Sequence, residues 1–209
     1  YTIVSLGTVV AAFVATNAFA IPKEVLTPDG DVETANAVIS STVSDNKVYA
    51  PVGGETVALD QVSDPVFASG MMGEGMAIKP AEPDINKVYA PQAGTLSVVA
   101  DTGHAYGLTT DDGMEILVHL GIDTVNLKGA PFTVAVKAGQ HVNQGDLLGT
   151  FDQAAIKKAG LDATTIVLIT NSKSYARIEP VAADTTVQAG ADLLAVQRED
   201  VKVESVEPA

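Results

Sequence analysis

The sequence predicts an all-β domain: an internally duplicated antiparallel β-sandwich or barrel with one short helix, preceded by one apolar membrane-type helix. Three observations carry the β assignment. Asn46-Lys47-Val48-Tyr49-Ala50-Pro51 recurs as Asn86-Lys87-Val88-Tyr89-Ala90-Pro91, with Gly54 and Gly94 at matching offsets. The 209 residues include 18 glycines and 10 prolines, enough to punctuate many short strands. Strand-like runs also flank Asp111-Asp112-Gly113, a hairpin signal. The repeat occurs only twice at a spacing of about 40 residues, so it reads as a duplication rather than a solenoid.

Taken in order, residues 1–22 carry no charge and include Val9-Val10-Ala11-Ala12-Phe13-Val14-Ala15. Around 20 uncharged, mostly apolar residues are enough to cross a bilayer. The segment is expected to be the end of a membrane domain in a longer protein, since the chain opens on Tyr1. A buried helix is one alternative. A signal peptide is another, because Ala18-Phe19-Ala20 resembles a cleavage site, but no positive n-region precedes it. Residues 23–45, with Pro28-Asp29-Gly30 and Ser40-Ser41-Thr42, read as a linker. Residues 46–197 form the folded domain. A second, looser repeat supports this: Val142-Asn143-Gln144-Gly145-Asp146-Leu147-Leu148 against Val187-Gln188-Ala189-Gly190-Ala191-Asp192-Leu193-Leu194. One helix is predicted over 152–159, with Asp152 as N-cap and Gly160 as its stop. Residues 198–209 read as a solvated tail.

Composition excludes several classes. Twenty-six acidic against 12 basic residues give a net charge of −14. Such a chain repels nucleic acid and anionic membrane surfaces, and suits a basic protein partner. With no cysteine there are no disulfides, no thiol catalysis and no thiolate metal site.

The chemistry is expected in the Asp-Gly hairpin. With Asp112-Gly113 as a two-residue type I′ loop, Asp111 pairs with Met114 and His119 sits opposite Tyr106. His104 then shares the face of His119 as its diagonal neighbour, about 7–8 Å away. Ile116, Val118 and Leu120 point inward, leaving Leu117 outside with His119. Two imidazoles at that spacing suit a small anion or a metal. The Thr102 hydroxyl can fix the tautomer of His104, and the Gly121 carbonyl or the Asp123 carboxylate can orient His119. His141, in a turn-like stretch, reads as a bystander. Asp64-Pro65-Val66-Phe67 and Met71-Met72 are either core or a docking surface. A zinc peptidase would need three protein ligands and a His-x-His pair, which His119-Leu120-Gly121 does not supply. A lipoyl-type carrier needs a lysine at the hairpin tip, where this chain has Asp111-Asp112-Gly113. No metal and no cofactor are expected.

Several blocks stand out along the chain. They are Val66-Phe67-Ala68, Gly73-Glu74-Gly75-Met76-Ala77-Ile78-Lys79-Pro80, Thr102-Gly103-His104-Ala105 and Val118-His119-Leu120-Gly121-Ile122-Asp123-Thr124-Val125. With Gly145-Asp146-Leu147-Leu148, Phe151-Asp152 and Thr170-Asn171-Ser172, they make about residues 46–175 resemble the glucose-type enzyme IIA domains of the bacterial sugar phosphotransferase system. The β-glucoside, sucrose and trehalose permeases look nearest. The resemblance implies the duplicated hybrid-motif fold and a phosphoryl relay. In that relay the phosphocarrier HPr loads His119, which passes the group to a cysteine of a IIB domain and so to incoming sugar. It further implies that His104 stabilises the phosphoryl group, Thr102 holds His104, and the Gly121 carbonyl orients His119. Asp64 and Asp123 match flanking carboxylates; Val66, Phe67, Met72 and Leu117 match an apolar docking surface, with Leu117 standing where well-known relatives have an aromatic residue. Residues 1–22 would end a IIC membrane domain in the same chain, with the IIA domain facing the cytoplasm. The alternative keeps the fold but makes it a regulatory IIA-like domain fused to a sugar symporter.

Overall fold

The computed structural model describes residues 46–81 and 85–198. The apolar segment 1–22, the linker 23–45 and the tail after Arg198 lie outside these residues. Among the described residues no helix is long and apolar enough to cross a membrane.

The strands are short and turn-bounded, as the glycine and proline content requires. In order they are β1 (Asn46–Tyr49), β2 (Gly54–Val57), β3 (Glu74–Pro80), β4 (Ile85–Tyr89), β5 (Gly94–Val99), β6 (Ala105–Thr109) and β7 (Glu115–Leu120). There follow β8 (Phe132–Val134), β9 (His141–Val142), β10 (Leu147–Asp152), β11 (Thr165–Ile169), β12 (Arg177–Pro180), β13 (Thr186–Val187) and β14 (Asp192–Gln197). Eight of them form one sheet in the order β13-β2-β3-β11-β7-β6-β5-β9; the others form two three-stranded sheets, β1-β14-β12 and β4-β10-β8. Every pairing is antiparallel.

The duplication is written into the hydrogen bonds. Tyr49 N–H donates to the Pro91 carbonyl and Tyr89 N–H to the Pro51 carbonyl, both at 2.9 Å, so the two copies of the motif clasp each other reciprocally. The looser repeat docks on them in the same paired fashion. Gly190 N–H donates to Ala50 O at 2.8 Å, and Gly145 N–H to Ala90 O at 2.9 Å. β9 then pairs with β5 at Gly94, and β13 with β2 at Gly54, the two matched glycines. A Cβ at Gly54 would lie 2.0 Å from Lys79 O, and one at Gly94 would lie 2.4 Å from Thr109 O. No side chain fits at either position, because a neighbouring backbone occupies the space.

Two apolar layers sandwich the large sheet. One face of β7 and β11 supplies Ile116, Val118, Leu120, Val167 and Ile169 to the main core with Leu96, Tyr106 and Phe151. The other face of β11, Ile166 and Leu168, joins Val62, Phe67, Ala77 and Ile122 in a smaller cluster. β11 is therefore buried on both faces, as its unbroken apolar run Ile166-Val167-Leu168-Ile169 requires.

The helix is α2 (Gln153–Lys158), following α1 (Pro65–Ala68). Asp152 caps α2 by accepting from Ala155 N–H at 2.8 Å, and Gly160 leaves it at φ +77°. Asp152→Ala should cost about 1 kcal/mol, the usual loss for an N-cap. Urea unfolding measures it; an unchanged midpoint would show that the cap contributes nothing.

Candidate active site

The hairpin that carries both histidines is built one residue away from the predicted register. Its loop has three residues, Asp111-Asp112-Gly113, closed by Gly113 N–H on Thr110 O and Thr110 N–H on Met114 O, both at 2.9 Å. Gly113 sits at φ +90°, a position glycine takes without strain. Thr110, not Asp111, thus pairs with Met114, and its hydroxyl locks the loop by meeting Asp112 and accepting from Met114 N–H. His119 consequently lies opposite Ala105, and Tyr106 pairs with Val118 on the core face.

The two imidazoles still meet. Gly103, at φ +73°, turns the chain before β6 begins, so His104 escapes strict alternation. Its carbonyl accepts from Leu120 N–H at 2.7 Å while its ring swings to the outer face. The ring centroids are 5.1 Å apart at 81°, edge to face, closer than the diagonal spacing predicted. Thr102 Oγ1 lies 2.5 Å from His104 Nδ1 and tethers that ring.

The floor and lid of the site come from the smaller apolar cluster. His119 lies between Leu117 along β7 and Ile166 across on β11, with Phe67 above at a centroid distance of 5.2 Å. Phe67 is held there by Asp64, which caps α1 by accepting from Val66 N–H at 2.7 Å and Phe67 N–H at 3.2 Å. This role for Asp64 is absent from the sequence reading, although Asp64-Pro65 carries the signature of an N-cap followed by proline at the first helical position. Phe67 itself is buried, Val66 is 46% exposed, and Met72 and Leu117 are partly buried against the cluster. The stretch is both core and surface, an apolar rim around the imidazoles. Asp123 is exposed in a left-handed turn at φ 57°, and its charge is not among the groups that set the basicity of His119. His141 stands apart, 3.3 Å from Asp111 at the far end of the hairpin.

Burial governs the electrostatics. It pushes the pKa of His119 down to about 4, with the His104 ring adding to the fall, while the Gly121 carbonyl and the Asp64 carboxylate oppose it. His104 is lowered as well, by burial. His119 Nδ1 is fully enclosed and has no hydrogen-bond partner, and the Gly121 backbone bears on the ring, raising its basicity. At neutral pH both rings are uncharged, and Nε2 of His119 can offer a lone pair.

The depressed pKa makes a pH prediction. Between pH 6.5 and about 4 the unfolded chain protonates His119 and the folded chain does not, so acid favours unfolding in that window. Stability lost there through this one group should reach up to about 3 kcal/mol. It is read as the difference in urea stability between the parent and His119→Gln from pH 7 to 4. Parallel curves would show that the ring is not buried neutral.

Among the described residues no three histidine, cysteine or acidic side chains gather where they could share a metal ion. The site is a pair of neutral imidazoles, one tethered and one poised, under an apolar rim on an acidic protein.

Residues 46–175 match the family described as phosphoenolpyruvate-dependent sugar phosphotransferase system, EIIA 1. The chain is 44% identical over 186 residues to a β-glucoside-specific EIIBCA component of Dickeya chrysanthemi, covering 85% of this chain and 29% of that protein. It is 45% identical over 189 residues to a sucrose-specific EIIBCA component of Pediococcus pentosaceus, covering 90% of this chain but 28% of the relative. A glucose-specific EIIA component of Halalkalibacterium halodurans is 41% identical and is covered over 85% of its length, against 72% of this chain. The chain thus spans under a third of the two fused relatives and most of the stand-alone one. Among solved structures, glucose permease IIA from Mycoplasma capricolum superposes with a TM-score of 0.67 at 36% identity, over 72% of this chain and 95% of that one. Duplicated fold, family match and a relative covered over most of its length agree: this chain belongs to the EIIA 1 family of the phosphoenolpyruvate-dependent sugar phosphotransferase system.

Proposed function

We propose that the domain relays a phosphoryl group in sugar uptake, with His119 as its carrier. The observation behind this reading is the His119–His104 pair, one imidazole enclosed at Nδ1, the other tethered by Thr102. HPr, carrying a phosphohistidine, docks on the rim of Val66, Phe67, Met72 and Leu117, which Asp64 and Asp123 flank with negative charge. The Nε2 lone pair of His119 attacks phosphorus. The bond to the donor nitrogen breaks, and its electron pair returns to the donor ring. Nδ1 keeps its proton beneath the Gly121 carbonyl throughout. Thr102 donates to His104 Nδ1, so His104 carries its proton on Nε2 and offers it to the phosphoryl oxygens. In the second half the thiolate of a IIB cysteine attacks phosphorus, and the electron pair returns to His119 Nε2. The IIB and IIC domains reside in the same permease, in the cell membrane, with this domain on the cytoplasmic side.

The test is a two-step label. Purified protein with enzyme I, HPr and 32P-phosphoenolpyruvate should gain one acid-labile phosphoryl group on His119, and adding a IIB domain should discharge it. Failure to load, or loading that IIB cannot remove, would reject the relay.

A further inference from the structure

The enclosed nitrogen of His119 is Nδ1, the Gly121 backbone acts on the same ring, and a backbone carbonyl cannot aim itself. Both peptide planes flanking Gly121 are pinned from outside. In the first, the Leu120 carbonyl accepts from the Thr124 hydroxyl at 2.6 Å, and the Gly121 N–H donates to the Thr164 carbonyl at 3.1 Å. In the second, Ile122 N–H donates to the Asp162 carbonyl at 2.8 Å. All peptide bonds here are trans, so each carbonyl points away from the N–H of its own plane. The bond to Asp162 therefore turns the Gly121 oxygen to the side away from Asp162.

The pins are themselves secured. Thr124 is fully buried and donates its hydroxyl to one acceptor. Asp162 Oδ1 accepts from Thr164 N–H at 2.9 Å and Thr164 Oγ1 at 2.6 Å, which fixes the strand-entry turn supplying both acceptor carbonyls. The fit leaves no slack. A Cβ on Gly121 would lie 2.5 Å from Thr124 Cγ2 and 2.8 Å from the Asp162 carbonyl oxygen.

We propose that Thr124 and Asp162 are positioning residues: Thr124 holds the Leu120–Gly121 plane and Asp162 the Gly121–Ile122 plane, and together they aim the Gly121 carbonyl so that the proton of His119 stays on Nδ1 and the lone pair of Nε2 faces out. The consequence for rate rests on the relay reading; the consequence for the tautomer does not.

The experiment compares the parent with Thr124→Val, which keeps the shape and removes the donor, and Thr124→Ser, which restores it. Imidazole 15N shifts at neutral pH report the tautomer of His119, and single-turnover loading from phospho-HPr reports the rate. We expect one Nδ1–H tautomer in the parent, a mixture in Thr124→Val with loading slowed by up to about a hundredfold, and recovery of both in Thr124→Ser. A parent-like tautomer in Thr124→Val, or valine and serine variants that behave alike, overturns the proposal. Should Thr124→Val not fold, Asp162→Ala, which leaves the backbone carbonyl but removes the Oδ1 acceptor that secures its turn, decides it: a mixed tautomer supports the positioning role and an unchanged one refutes it. If the parent never loads, the relay fails, yet the 15N arm still tests the positioning.

Discussion

His119→Gln should accept no label from phospho-HPr. Glutamine keeps a polar side chain of similar reach, but its amide has no lone pair basic enough to attack phosphorus. Removing the nucleophile of a covalent relay leaves no alternative route, and losses on the order of 10⁶ are typical of such deletions. The variant should nonetheless fold. His119 adds no hydrogen bond to the sheet ladder through its side chain, and its ring is replaceable between Phe67, Leu117 and Ile166. Glutamine is close to the ring in reach and the site is only partly enclosed, so the stability change at neutral pH should stay within about 1 kcal/mol. The measurement is 32P incorporation beside a urea curve. A stable variant that still labels would move the nucleophile elsewhere, with His104 the first candidate.

The duplication was legible because a repeated Val-Tyr-Ala-Pro run needs no knowledge of partners, and both copies turned out to clasp each other. α2 was legible for a similar reason, since Asp152 and Gly160 are local signals for a local structure. The hairpin register was not. Asp112-Gly113 serves equally as a two-residue loop and as the end of a three-residue one, and what decides is Thr110, whose hydroxyl reaches Met114 and Asp112. A one-residue slip moves every side chain to the other face. The histidine pair survived that slip only because Gly103 breaks the alternation just before His104. Leu117 and Ile116 were placed correctly because their faces follow from the apolar pattern within β7 alone. The cap made by Asp64, and the pins made by Thr124 and Asp162, depend on contacts that sequence spacing does not encode. Asp162 lies far from Gly121 in sequence and reaches it only because β11 pairs with β7.

His104→Gln should separate loading from discharge. Its amide retains an uncharged donor near the phosphoryl oxygens, and it leaves His119 Nε2 and the Gly121 carbonyl untouched, so His119 should still gain label. What is lost is direction. The native ring is tied at Nδ1 to Thr102 and set edge-on to His119 at 5.1 Å, whereas a glutamine has rotamers to choose among and no tether of that kind. Transfer to the IIB thiolate concentrates negative charge on the phosphoryl oxygens, and such a transition state responds to donors already in place rather than donors that must reorganise. Losing one preorganised donor costs about 2.7–4 kcal/mol, or roughly 10²–10³ in rate. Loading and discharge are timed separately, with phospho-HPr as donor and then a IIB domain as acceptor. Thr102→Val should fall in the same direction by less, because it frees the ring without removing it. Equal slowing of both steps in His104→Gln would mean that the ring merely shapes the pocket. A variant that never loads, beside a His119→Gln that does, would exchange the two roles.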